Sequence, residues 1–299
     1  MENTSRKTVQ IGRYDDTLPG TENKMVLCEE GFATLGIPTL HNLIHENSEW
    51  IRIDEIGYLE CKCSPYLDAL QALLQTKRVA AVVRKQNLTF LQDLCSRDDV
   101  FLLDLDQPFG HTGCVIMASG LGNRFGSNKL LADFNGSPLI CRILDATEGI
   151  FADRVVVTRY KEIAQLCQQR KIRTVFHELP HRNDTVRLGL EALSHIDRCM
   201  FCPGDQPLLR QETIAALVLA SVHDPDSIWR TTYKDTPGSP VVFPSWAFSE
   251  LRNLPEGKGG GYIIHSNPDN VKLLNVKNPF ELKDIDTPED LTSLIKQQA

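Results

Sequence analysis

Apolar residues along most of the chain alternate between short continuous runs and helical spacing. Strands are predicted at 114–117, 154–158, 174–178, 199–202 and 227–233, and the continuous apolar run at 154–158 is typical of a strand that is buried on both faces of a sheet. Helical spacing lies between them, at 161–171, 185–195 and 211–222. Repeated strand–helix units predict an α/β fold with a mostly parallel, doubly wound sheet, in which ligands bind beyond the carboxyl ends of the strands.

The first third of the chain also alternates between predicted strands and helices, but a break in the pattern separates it from the rest. Strands are predicted at 50–57 and 79–83, and helices at 67–76 and 88–95. Pro108, Gly110 and Gly113 then interrupt the pattern before a new strand begins at Cys114. With 299 residues, the chain is long enough for two cores. We therefore expect a smaller α/β domain over residues 1–110 and a larger domain over 111–299.

Composition and charge exclude several classes of function. The net charge of −7 argues against binding to a nucleic-acid backbone. No apolar run approaches the roughly 18 residues that a spanning helix needs, and the first ten residues lack an apolar signal core. The protein is expected to be cytoplasmic, with neither nucleic acid nor membrane as partner. The nine cysteines include no two paired CxxC motifs, so burial as small apolar residues is favoured over a structural zinc site.

A glycine-rich basic loop follows the strand at 114–117. Its sequence is Ala-Ser-Gly-Leu-Gly-Asn-Arg-Phe-Gly-Ser-Asn-Lys, residues 118–129. Glycines let a backbone wrap closely around phosphate groups, while Arg124 and Lys129 supply positive charge. The spacing is not that of a Walker A loop. The predicted nucleotide contacts are Ala118, Ser119, Gly120, Leu121, Gly122 and Lys129.

Acidic residues at two further positions have the chemistry of a magnesium site. Asp205 follows the strand at 199–202 within Pro-Gly-Asp-Gln-Pro, where glycine and proline fix the turn. Mg²⁺ takes one or two protein carboxylates together with phosphate oxygens. The second carboxylate is Asp286 or Asp284, in the segment Asp-Ile-Asp-Thr-Pro-Glu-Asp-Leu at 284–291.

These three motifs resemble those of the molybdenum cofactor nucleotidyltransferases. Residues 117–131 are similar to the signature loop of that family and, more broadly, of nucleotidyltransferases with a glycosyltransferase-A-like fold. Residues 203–207 resemble the second motif of its cytidylyltransferase branch for molybdopterin, and residues 284–291 resemble its closing motif. The resemblance implies a Mg²⁺-dependent transfer of CMP from CTP to molybdopterin with release of pyrophosphate. Arg124, Lys129 and Asp205 would be catalytic, and Asp205 and Asp286 would bind the metal.

A fourth segment leaves the acceptor open. Residues 182–190 look more like the methylerythritol phosphate cytidylyltransferases, which implies that Thr185 lies near the nucleotide with Arg182 or Arg187 beside it. Thr185 is equally suited to be a helix N-cap. Residues 238–243 and 257–261 resemble the family's acceptor-pocket segments, and the glycines of the latter suggest an anion site at a helix start. His111, His177 and His181 are interpreted as surface or packing residues.

Two other functions therefore remain open beside transfer to molybdopterin. One is a cytidylyltransferase for another small phosphate. The other is a non-catalytic nucleotide- or cofactor-binding chaperone for a molybdenum hydroxylase. GTP is not excluded as the nucleotide by any physical argument.

The first third resembles a different family. Residues 53–60, with Gly12-Arg-Tyr upstream, are similar to the Walker B region of small nucleoside-triphosphatases first seen in thermophiles. The resemblance covers roughly residues 9–106 and lacks the P-loop that Asp54 and Glu55 would serve. It implies a degenerate regulatory or dimerising domain, a docking module for a client molybdoenzyme, or half of an NTPase completed by a separate P-loop protein.

Overall fold

The computed structural model describes residues 7–19, 24–122 and 124–296, so the first six residues of the chain lie outside it. The chain forms two compact units, Met1–Leu102 and Leu103–Ala299. The sequence places the boundary after residue 110, which is slightly later. Both positions lie in the irregular segment between the last helix of the first unit and the first strand of the second.

The first unit combines two small sheets with helices. Its elements are β1 (Gly12–Tyr14), β2 (Met25–Leu27), α1 (Glu29–Gly31), a π-helical turn (Phe32–Gly36), α2 (Ile37–His45), β3 (Trp50–Ile56), α3 (Ser64–Leu74), β4 (Arg78–Val83) and α4 (Thr89–Cys95). β1 and β2 pair antiparallel, whereas β3 and β4 pair parallel. The core of this unit forms where the apolar stripes of α2, α3 and α4 meet one face of β3, around Phe32, Ile56 and Leu70.

The second unit is built on a seven-stranded sheet in the order β11-β9-β10-β8-β5-β6-β7. Only β10, among these strands, runs antiparallel to its neighbours β8 and β9. The elements are β5 (Thr112–Ala118), α5 (Ile140–Ala146), β6 (Asp153–Thr158), α6 (Lys161–Gln169), β7 (Arg173–Phe176), α7 (Arg182–Ala192), β8 (Arg198–Pro203), α8 (Gln211–His223), β9 (Ile228–Tyr233), β10 (Thr236–Pro244), α9 (Phe248–Arg252), α10 (Gly261–Ser266), β11 (Val271–Asn275) and α11 (Pro288–Lys296).

Helices cover both faces of this sheet. Along β5, Cys114 and Ile116 face a cluster formed with α5, α6, α8 and α11, while Val115 faces a second cluster formed with α7, α9 and α10. Since both faces are apolar, the strand sequence shows the continuous hydrophobic run from which it was predicted. The predicted α/β class with a mostly parallel sheet is confirmed.

One predicted helix differs in register from the structure. The sequence places it at 185–195, but α7 begins at Arg182 and ends at Ala192. The backbone N–H of His181 donates to the carboxylate of Asp184 at 3.2 Å, so the helix is capped from His181. Thr185 therefore lies inside the first turns of α7, and its interpretation as a helix N-cap is wrong.

Two expectations from composition concern the state of the cysteines and the length of the apolar helices. All nine cysteines are free thiols, six of them buried and three half-buried. Within residues 7–19, 24–122 and 124–296, no helix has the length and apolarity needed to cross a membrane.

Candidate active site

A cleft of about 490 Å³ opens at the carboxyl ends of β5, β6 and β8. This is the edge at which open α/β sheets bind their ligands. It collects residues from the glycine-rich loop and from the segments at 182–190, 203–207, 238–243 and 284–291, whereas the predicted segment at 257–261 does not line it. The lining residues are Met117, Ser119, Gly120, Leu121, Gly122, Arg124, Lys129, Leu130, Arg159, Pro180, His181, Arg182, Thr185, Pro203, Asp205, Ser239, Asp284 and Asp286.

The loop after β5 has a defined backbone conformation. The N–H of Phe125 donates to the carbonyl of Gly122 at 2.9 Å, which closes a turn. Gly122 has φ of +61°, and a side chain there would lie 2.9 Å from the carbonyl oxygen of Ser127. Only glycine satisfies both conditions. Asn123 lies outside the described residues, so the account of the loop rests on its neighbours.

Two side chains from neighbouring strands hold the start of this loop. The hydroxyl of Ser119 donates to the carbonyl of Val157 at 3.0 Å and lies 2.8 Å from Nε2 of His177. The hydroxyl of Tyr160 donates to the carbonyl of Gly120 at 2.7 Å. Burial lowers the pKa of His177, with the positive charge of Arg159 acting in the same direction, so its imidazole is neutral and suited to a packing role.

Ala118 is the last residue of β5 and directly precedes Ser119, the first loop residue that lines the cleft. It is fully buried at the end of β5, and its carbonyl accepts a hydrogen bond from the hydroxyl of Thr158 at 2.9 Å. Of the predicted nucleotide contacts, Ser119, Gly120, Leu121, Gly122, Lys129 and Thr185 line the cleft, whereas Ala118 supports the loop from beneath.

Lys129 is the centre of a charge cluster on the β8 side of the cleft. Its Nζ lies 2.6 Å from Oδ2 of Asp205 and 3.0 Å from Oδ1 of Asp286, and its side chain is only 12% exposed. Nη2 of Arg124 reaches the other oxygen of Asp286 at 3.0 Å. Burial alone would lower the pKa of Lys129, but the hydrogen bonds and charges of the two aspartates outweigh it and raise the pKa.

Asp284 adds a third carboxylate to this cluster. Burial raises its pKa, and the negative charge of Asp205 raises it further. Nε2 of Gln206 donates to Asp284 at 2.9 Å and to the carbonyl of Leu282 at 3.2 Å. Three carboxylates therefore converge on two cationic side chains, which leaves an excess of negative charge at this wall.

A backbone hydrogen bond explains why residues so distant in sequence meet here. The N–H of Ile285 donates to the carbonyl of Asp205 at 3.0 Å, which joins the segment before α11 to the turn after β8. Asp290 then accepts from the N–H of Thr287 at 3.0 Å and caps the start of α11. Both predicted metal ligands are thus held on segments anchored by backbone hydrogen bonds.

The other side of the cleft follows β6 and β7. Arg159 comes directly after β6, and Arg182 and the buried Thr185 lie in the first turns of α7. Arg187, the alternative to Arg182, does not line the cleft. Its guanidinium pairs with Glu191 at 3.1 Å.

Sequence reasoning missed several of these residues. Arg159 and Tyr160 follow the carboxyl end of a predicted parallel strand, and that position alone would have marked them. His177, interpreted as a surface or packing residue, is buried and lies 2.8 Å from the hydroxyl of Ser119 in the loop after β5. Ser239 was not missed in the same way, because it belongs to the segment at 238–243 that resembles an acceptor-pocket segment, and it lines the cleft from β10.

A family model also matches the part of the chain that builds this cleft. Residues 114–271, more than half of the chain, match the model described as the MobA-like NTP transferase domain. The chain belongs to this family. The resemblance of its motifs to molybdenum cofactor nucleotidyltransferases is thereby confirmed, and the second unit is a nucleotidyltransferase domain. Residues 5–108 match the model of a second family, described as NTPase.

Curated relatives carry different nucleotide specificities. The transferase domain is similar to a probable molybdenum cofactor guanylyltransferase of Aquifex aeolicus, with 26% identity over 61% of this chain and 89% of that protein. It is also similar to a 3-deoxy-manno-octulosonate cytidylyltransferase of Helicobacter pylori, with 34% identity over 37% of this chain. The chain spans only 46% of the latter protein's length.

Solved structures have the same fold. The protein Rv0371c from Mycobacterium tuberculosis superposes with a TM-score of 0.57, at 23% identity over 62% of this chain and 98% of that chain. Molybdopterin-guanine dinucleotide biosynthesis protein A from Archaeoglobus fulgidus has a TM-score of 0.51, at 18% identity over 62% of this chain and 98% of that chain.

Proposed function

We propose that the transferase domain moves CMP from CTP to the phosphate of a small acceptor, molybdopterin, and releases pyrophosphate. The observation that carries the proposal is the convergence of Arg124, Lys129, Asp205 and Asp286 with a glycine-rich loop in one cleft. Backbone N–H groups and cations on one wall suit a triphosphate, and acids beside them suit a metal ion.

The reaction needs no general base. A phosphate oxygen of the acceptor is already ionised near pH 7, so it can attack the α-phosphorus directly while the bond to the β-phosphate oxygen breaks. Pyrophosphate leaves with that electron pair. The contribution of the protein is then to position the two substrates and to neutralise charge. When the nucleotide binds, the side chains of Arg124 and Lys129 exchange their contacts with Asp286 and Asp205 for contacts with phosphate oxygens, and so neutralise the phosphate charge.

Magnesium is part of this proposal, and the residues of the cleft suit it. The ammonium of Lys129 lies between Asp205 and Asp286 and acts as a stand-in for a cation there. In the described ranges, no three His, Cys, Asp or Glu side chains form a ready-made metal site. Mg²⁺ does not need one, because it takes one or two carboxylates and completes its shell with water and phosphate oxygens. Asp205 and Asp286 would hold the ion, which would offset phosphate charge.

The proposal also specifies which nucleotide is used and which acceptor receives the CMP. The sequence at 203–207 and the octulosonate cytidylyltransferase relative support CTP, whereas the Aquifex aeolicus relative is named as a guanylyltransferase. Molybdopterin is supported by the family and by that same relative. A different small phosphate is the second candidate, and the segment at 182–190 favours it.

For residues 1–110 we propose a regulatory or docking role rather than NTP hydrolysis. Glu55, one of the two acids expected to serve an NTPase site, is held by Arg84 through two hydrogen bonds of 2.8 and 3.0 Å. Its carboxylate is therefore already satisfied by a neighbouring cation. Acceptor-independent release of inorganic phosphate from any NTP would contradict this role.

The test is pyrophosphate release by the purified protein with Mg²⁺, each of the four NTPs, and molybdopterin, with an acceptor-free control. We expect release that depends on the acceptor and occurs with CTP. Pyrophosphate release with GTP alone would show that the nucleotide is GTP rather than CTP and would leave the proposed reaction unchanged. No release with any NTP would contradict transfer to molybdopterin, and a panel of other small phosphates would then test the second candidate.

A further inference from the structure

We propose that Gln206 is a positioning residue for the cation site. Its side-chain amide holds the acid-bearing segment at 282–286 against the turn that carries Asp205. The inference rests on the proposed magnesium-dependent transfer and adds to it the residue that aligns the carboxylates. Gln206 does not line the cleft, so it acts through Asp284 and not on a substrate.

The carboxylates of the cation site stand on two segments that are far apart in sequence. The turn after β8 is fixed on its β5 side, because the N–H of Gly204 donates to the carbonyl of Met117 at 3.0 Å. In the same turn, the carbonyl of Asp205 accepts from the N–H of Ile285 at 3.0 Å. This second bond joins two backbones, but it does not set the direction of the Asp284 carboxylate.

The amide of Gln206 supplies that direction. Its Nε2 donates to Oδ1 of Asp284 at 2.9 Å and to the carbonyl of Leu282 at 3.2 Å, which uses both of its N–H groups. Within residues 7–19, 24–122 and 124–296, the Asp284 side chain accepts no other hydrogen bond and forms no ion pair. The orientation of this carboxylate therefore depends on Gln206.

The burial of Gln206 indicates a constraint other than packing. The residue is only 2% exposed, and its Oε1 is buried without a hydrogen-bond partner in the described part of the chain. A buried acceptor without a partner costs free energy. Turning the amide over would bring Oε1 against the oxygens of Leu282 and Asp284 and would lose both donated bonds. The amide therefore satisfies the acid-bearing segment at the expense of its own oxygen.

A neutral amide suits this position better than a charged side chain. A lysine or arginine in place of Gln206 would also orient Asp284, but its charge would offset the negative charge that attracts Mg²⁺. An amide donates hydrogen bonds without adding charge. Residues that orient metal-binding carboxylates from behind typically change metal affinity by about 10–100-fold when they are substituted. Loss of the amide should therefore weaken cation binding although no carboxylate is removed.

The first experiment measures amide hydrogen exchange by NMR in the metal-free protein. Gln206→Met keeps the length of the side chain and removes its donors. We expect the N–H of Ile285 to exchange about tenfold faster, because an ordinary hydrogen bond holding its segment is lost. The N–H of Gly204, which is bonded to β5, should change by less than about twofold. Equal acceleration at both amides, or none at Ile285, would overturn the proposal.

The second experiment measures binding of Mn²⁺ alone by electron paramagnetic resonance. The control is Gln211→Met, because Nε2 of this exposed glutamine donates to the carbonyl of Glu148 at 2.8 Å, outside the cleft. The Kd for Mn²⁺ should rise about tenfold in Gln206→Met and stay within about twofold in the control. The same Kd in Gln206→Met and wild type, or no Mn²⁺ binding by the wild-type protein, would contradict the role of Gln206.

Turnover separates positioning from a purely structural role. With CTP and molybdopterin, Gln206→Met should raise the Mg²⁺ concentration for half-maximal rate about tenfold and keep kcat at saturating Mg²⁺ within about threefold. A lower kcat with an unchanged Mg²⁺ requirement would show a structural role and overturn the proposal. If the wild-type protein transfers no nucleotide, only the proposed function fails, and the exchange and Mn²⁺ measurements still decide on Gln206.

Discussion

The substitution Lys129→Met removes the positive charge at the centre of the aspartate cluster while keeping much of the side-chain volume. In the wild-type domain the ammonium contacts Asp205 at 2.6 Å and Asp286 at 3.0 Å, and only 12% of the side chain is exposed. Without it, Asp205, Asp286 and Asp284 face one another with Arg124 alone to offset them. We therefore expect the variant to be less stable at neutral pH.

The magnitude follows from burial. Removing one partner from a fully buried ion pair costs about 3–5 kcal/mol, whereas an exposed pair contributes about 0–1 kcal/mol. Asp205 and Asp286 are 21% and 36% exposed, so solvent screens part of the interaction. The free energy of unfolding should fall by about 2 kcal/mol. For a domain of this size that corresponds to a decrease in Tm of about 4–8 °C.

The assay is thermal unfolding in a metal-free buffer, repeated with added MgCl₂. Lys272→Met is the matched control, because its ammonium lies at the same 2.6 Å from Asp224 but its side chain is 54% exposed. The control should lose less than about 1 kcal/mol. Mg²⁺ should restore stability in Lys129→Met, where it replaces the lost cation. An equal loss in both variants, or no effect of Mg²⁺, would refute the reasoning about burial and charge.

Three further predictions concern other parts of the structure. Burial, with a contribution from the charge of Glu60, raises the pKa of Tyr66 to about 12. Urea unfolding should therefore show a loss of about 2 kcal/mol between pH 10 and 12, since the unfolded state ionises more than the folded state in this range. Gly189→Ala should lose about 1–3 kcal/mol in the same assay, because the new Cβ would lie 2.4 Å from Cγ1 of Val115. His177→Phe should weaken CTP binding about fivefold in a titration, because it removes one of the two hydrogen bonds that position the hydroxyl of Ser119.

Each of these has its own control. Tyr66→Phe should remove the alkaline loss, and an unchanged loss would assign it to other groups. Gly261→Ala adds a Cβ into open space at the start of a helix, so it should not destabilise the domain. If it costs as much as Gly189→Ala, close packing is not the cause. His177→Gln keeps a hydrogen-bond donor and should recover CTP affinity, whereas equal weakening in both variants would exclude the hydrogen bond as the reason.

The central strands β5, β6 and β8 could be predicted because each is an apolar run that is buried on both sheet faces. The position of the loop at 118–129 could be predicted as well, since a segment directly after a buried parallel strand lies at the ligand-binding edge of an α/β sheet. The start of α7 could not, because its cap is the carboxylate of Asp184 bonded to the backbone of His181. Periodicity does not register such a bond.

The meeting of Asp205 with the segment at 284–286 depended on family resemblance rather than on pattern. It is produced by one backbone hydrogen bond from Ile285 to the carbonyl of Asp205, between residues about 80 positions apart. On the opposite wall, Arg182 and Thr185 were named from family resemblance, but Arg159 was missed. Arg159 is unremarkable in sequence, and only the fold brings it to the cleft.

The measurement that tests the central claim most directly is acceptor-dependent pyrophosphate release by Asp205→Asn. The control is Asp224→Asn, which removes a carboxylate that also lies 2.6 Å from a lysine but outside the cleft. We predict that Asp205→Asn loses about 100-fold or more in kcat with Mg²⁺, a loss typical of removing one group that stabilises transition-state charge, while the control keeps wild-type turnover. Full turnover by Asp205→Asn would contradict the account of this cleft as the site of nucleotidyl transfer.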